Sequence, residues 1–72
     1  MIEDVPKFLD ELCVKLGICL SPDGRAAIAR TRFRDADAME LALLAAEGLD
    51  PLHADSRLRD DLRVMIMRHW RR

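Results

Sequence analysis

With 72 residues and a net charge of -1, the chain has room for one small core and no overall field to draw it to DNA or an anionic membrane. Half of the residues are apolar, only 4% are aromatic and tyrosine is absent. Alanine and leucine outnumber β-branched residues, so the expected fold is all-α, a small three- to four-helix bundle in a single domain over residues 1–72.

The first helix is expected over residues 4–16. Val5, Phe8, Leu9, Leu12, Cys13 and Leu16 form one stripe at helical spacing, Asp4 stands at the N-cap and Pro6 lies in the first turn. Gly17 is placed to end it in a left-handed turn, with Ile18 folding back on Cys13. Cys13 and Cys19 lie in a C-x5-C spacing, which is neither a zinc knuckle nor a redox motif, and both are expected to be reduced thiols. A second helix over 22–32 starts from Ser21, Pro22 and Asp23. Gly24 weakens it, and Ile28 and Phe33 are its only large apolar residues, so its C-terminal part is expected to be irregular.

The third helix, over 37–47, is given a capping box by Asp37 and Glu40, with Asp35 as the alternative cap, and is ended by Gly48, Leu49 and Pro51. Met39, Leu41, Leu43 and Leu44, with the intervening alanines, cover almost its whole circumference. A helix apolar all round is a buried one, so this should be the central element. The last helix, over 56–70, begins near Asp55 or Ser56 and turns Leu58, Leu62, Met65, Ile66 and His69 inward.

Charge comes in blocks. Residues 1–24 are acidic on balance, and 25–34 hold Arg25, Arg30, Arg32 and Arg34 without an acid. Residues 35–55 hold six acids without a Lys or Arg, and 56–72 hold six arginines against Asp60 and Asp61. Adjacent blocks can neutralise one another within the fold. A recognition helix for DNA should be basic, yet the third helix carries Asp37, Glu40 and Glu47. Nucleic-acid binding through Arg57, Arg59, Arg63, Arg68, Arg71 and Arg72 is therefore the alternative to a protein-binding role.

His53 and His69 with the two cysteines do not have the spacing of a metal site, and no cofactor is expected. Ser21 and Ser56 read as helix caps, so neither an enzyme nor a catalytic residue is expected. Asp37-Ala38-Met39 occupies a place similar to the D-S-L motif of acyl carrier proteins, but alanine lacks the hydroxyl that would take their cofactor. The likeness extends to helical layout alone. Val64 and Met67 lie outside the inward stripe of the last helix. With Trp70, and with Arg63 and Arg71 at the rim, they form the expected protein interface, in a homodimer or with another protein. The expected molecule is a small regulator, adaptor or inhibitor. The acidic opening is unlike a signal peptide and no apolar run approaches ~20 residues, so a cytoplasmic location and no membrane role are expected.

Overall fold

The computed structural model describes residues 1–50 and 55–71; the predicted helix stop at Pro51, and His53 and Arg72, lie outside them. Four helices follow in order: α1 (Val5–Leu16), α2 (Pro22–Arg30), α3 (Ala36–Ala46) and α4 (Ser56–His69). Each packs on its neighbours in the sequence, and α4 returns to α1, so the four close a ring around one core. Phe8, Leu12, Met39, Leu43, Leu44, Leu62 and Ile66 fill its centre. The expectation of an all-α bundle holds.

Local caps set the helix starts. Asp4 accepts from the Lys7 amide, Ser21 from the Gly24 amide and Asp55 from the Arg57 amide. At α3 it is Asp35, the alternative cap, that accepts from the Ala38 amide at 2.9 Å. The Asp37–Glu40 capping box does not form, because both carboxylates turn to arginines of α4. The expected irregularity at the end of α2 is real: Thr31 leaves the helix in extended conformation, its hydroxyl donating to the Ala27 carbonyl.

Two expectations need correction. Gly17 does take a left-handed conformation (φ 73°) and Ile18 is buried, but Cys13 and Cys19 are joined in a disulfide rather than reduced. Along a continuous helix six residues rise about 9 Å, too far for a bridge. The Gly17 turn brings the two Cα atoms to 4.4 Å. The second correction concerns α3, which is central but not buried all round. Met39, Glu40, Leu43 and Leu44 face the core, whereas Leu41 is 46% exposed and Ala45 and Ala46 face outward. Among the described helices α3 packs on α2 and α4.

The chain ends are clasped. Ile2 and Trp70 form an isolated antiparallel bridge. The Arg71 amide donates to the Met1 carbonyl at 2.6 Å, and the Met1 amino group donates to the Arg71 carbonyl at 2.7 Å.

Candidate functional site

The five residues expected to form one interface fall into three environments. Val64 and Met67 project outward from α4, 55% and 56% exposed. Three residues apart, they are neighbours on one helix face. The inward side is already filled by Leu62, Met65 and Ile66. Asp60 and Asp61 stand exposed before this apolar pair, and Arg68 and Arg71 stand exposed after it.

Arg63 belongs instead to an ion cluster between α3 and α4. Glu40, 2% exposed, receives Arg59 on one carboxylate oxygen (Nη2 at 2.5 Å, Nε at 3.2 Å) and Arg63 Nε on the other at 3.1 Å. Arg63 also pairs with Asp37. Burial pushes the Glu40 carboxyl up, but the hydrogen bonds from Arg59 and Arg63 outweigh it and hold the group below its ordinary value. The bond to Glu40 likewise raises Arg63. No buried side-chain nitrogen or oxygen among the described residues lacks a partner. Both Glu40 carboxylate oxygens are engaged, and the cluster ties α3 to α4.

Trp70 and Arg71 lie beyond the end of α4. Trp70 is extended and half-buried against the core, and Arg71 pairs with Glu3 at 2.9 Å. Trp70 forms one wall of a groove of about 520 Å³ between the N-terminal segment, the end of α2 and the start of α3. Ile2, Val5, Ile28, Phe33 and Met39 supply the rest of its apolar lining, and Arg30 and Arg32 stand at its edge. Sequence reasoning missed this groove, because its residues come from both ends and the middle of the chain. Its only signals were the alternating Arg30, Arg32 and Arg34 and a tryptophan near the end of a helix.

The arginines do not make one acid-free face. Arg25 pairs with Asp10 at 2.8 Å, Arg34 with Asp35 at 3.6 Å, and Arg59, Arg63 and Arg71 with the acids given above. Arg57 and Arg68 are exposed on α4, which also exposes Asp60 and Asp61. His69 is half-buried, its ring 5.3 Å from that of Phe8 and its Nε2 2.8 Å from Glu11. The bond from His69 lowers the Glu11 carboxyl below its ordinary value. The described residues hold no group of three or more His, Cys, Asp or Glu placed to bind a metal. None of their helices is long and apolar enough to cross a membrane.

No protein-family model, curated protein or solved structure matches the chain.

Proposed function

We propose that the chain is a non-catalytic protein-interaction module that pairs with a second copy of itself through the outer face of α4. The observation that carries this reading is the exposure of Val64 and Met67 on a helix whose inward stripe is already complete. Association removes such apolar surface from water. The charges flanking the pair favour a second copy as the occupant. A two-fold axis passing between Val64 and Met67 sets two α4 helices antiparallel, with Val64 against Met67 of the second copy. The Asp60–Asp61 end then meets the Arg68 end in both directions, the self-complementarity that a two-fold contact requires. These charges favour register over affinity.

Arg63, Trp70 and Arg71 drop out of the interface in this version. Arg63 is engaged by Glu40 and Asp37, Trp70 by the core and Arg71 by Glu3. With two apolar anchors per copy, the expected affinity is micromolar rather than nanomolar. The Cys13–Cys19 bridge is of a kind that persists in oxidising compartments, and the proposal assigns no compartment.

Sedimentation velocity tests the reading. The wild type should be dimeric at tens of micromolar, and the double variant Val64→Asp with Met67→Asp monomeric with unchanged helicity. Because both side chains are exposed, the variant should keep its fold. A wild type that remains monomeric at millimolar concentration would remove the proposal.

A further inference from the structure

We infer that the groove beside Trp70 is a binding site for a single-chain amphipathic carboxylate, an acyl tail with an anionic head. This inference is independent of the dimer, since neither Val64 nor Met67 lines the groove.

The apolar half of the site comes from five parts of the chain. α1 contributes Val5, α2 contributes Ile28, α3 contributes Met39, and the two chain ends contribute Ile2 and Trp70. Ile2, Ile28 and Met39 are buried, whereas Phe33 and Trp70 are only half-buried and keep part of their rings open to solvent. The volume of about 520 Å³ lies within the rough 300–1,000 Å³ span of small-molecule pockets, which are mostly apolar with a few polar groups fixing orientation.

The charged half is dominated by two arginines. Arg30 is the last residue of α2, and Arg32 follows in the segment that leaves the helix at Thr31. Both line the groove, and neither has an ion-pair partner among the described residues. The acid at the edge, Glu3, is held by Arg71 at 2.9 Å. With Glu3 met by Arg71, Arg30 and Arg32 leave the edge positive on balance beside an apolar wall, complementary to a carboxylate on a hydrocarbon chain. A cationic amphiphile would meet two arginines and a carboxylate already paired, and a fully polar anion would leave the apolar wall wet.

Trp70 is the only tryptophan and the chain has no tyrosine, so intrinsic fluorescence reports on this groove alone. The experiment is a titration with octanoate, decanoate and dodecanoate below their micelle concentrations. Dodecyltrimethylammonium and dodecyl maltoside serve as cationic and neutral probes of the same tail. The expected result is a saturable change in Trp70 emission with the carboxylates, tightening roughly threefold to fourfold per added methylene until the groove is full. Arg30→Glu with Arg32→Glu should weaken carboxylate binding by about tenfold and favour the cationic probe, with helicity unchanged because both side chains are exposed. The variant Val64→Asp with Met67→Asp should bind like the wild type, so that failure of the dimer and failure of the groove are read apart. No saturable change with any carboxylate would overturn the inference. So would equal affinity for the three head groups or unaltered carboxylate binding by the Arg30→Glu, Arg32→Glu protein.

Discussion

Glu40 is a buried carboxylate gripped by two arginines that are themselves partly in water: the side chains are 3% exposed for Glu40, 33% for Arg59 and 51% for Arg63. That imbalance decides how substitutions should behave. Removing Glu40 leaves two arginines able to rehydrate, whereas removing an arginine leaves a buried anion short of a donor. Arg59→Met is expected to cost about 2 kcal/mol, and more than Glu40→Met, in denaturant unfolding. Folding lowers the Glu40 carboxyl from its ordinary 4.5, so the unfolded chain takes up its proton first as the medium is acidified. The stability it contributes is complete above pH 4.5 and is lost as the pH falls through the lower folded value. Glu11, also lowered by its bond to His69, acts in the same direction. Melting temperatures measured from pH 7 to pH 3 should fall in the acid limb for the wild type and fall less steeply for Glu40→Gln. Parallel acid limbs would show that Glu40 is not the titrating group.

Helix boundaries were legible because their causes are local. Asp4, Ser21 and Asp55 each cap a backbone amide within three residues, and Gly17 ends α1 where a positive φ is required. At α3 two aspartates competed for one cap, and Asp37 was taken by Arg63, far along the chain. A local pattern has no access to that choice. The bridge between Cys13 and Cys19 was hidden for a similar reason, since the spacing suggests nothing until the Gly17 turn doubles the chain back. Reduction of this short loop is expected to cost about 2 kcal/mol by the chain-entropy account. The fold should survive it, because Ile18 beyond the turn is buried among core residues that do not depend on the sulfur atoms. Thermal melts with and without reductant should both be cooperative, the reduced protein melting lower. Loss of helicity on reduction at 25 °C would mean that the bridge, rather than the core, holds α1 in place.

At the scale of the molecule, the alternating charge blocks are folded against each other. The acids of α3 meet the arginines of α4, Asp10 of α1 meets Arg25 of α2, and Glu3 meets Arg71. That intramolecular pairing was foreseeable from the blocks, but which arginines it left over was not, and those decide the nucleic-acid alternative. Arg30, Arg32, Arg57 and Arg68 have no ion-pair partner among the described residues; the first two lie at the groove and the others on α4. Each phosphate neutralised on duplex DNA contributes about -0.9 to the slope of log affinity against log salt. Even if all four engaged together, these arginines would contribute a slope near -4. Binding to a mixed-sequence duplex at about 0.15 M salt should be no tighter than the 10⁻⁴ to 10⁻⁶ M range of nonspecific complexes. Competitor sequences should displace it equally. Counting Lys7, Lys15 and Arg72 as well, a slope steeper than about -7 would require Arg25, Arg34, Arg59, Arg63 or Arg71 to leave its acid for a phosphate. Recruiting Arg59 or Arg63 would uncover the buried Glu40 and loosen α3 from α4, whereas DNA that binds the intact fold raises the melting temperature. A steep salt slope together with thermal stabilisation by DNA is the one result that would restore the nucleic-acid reading.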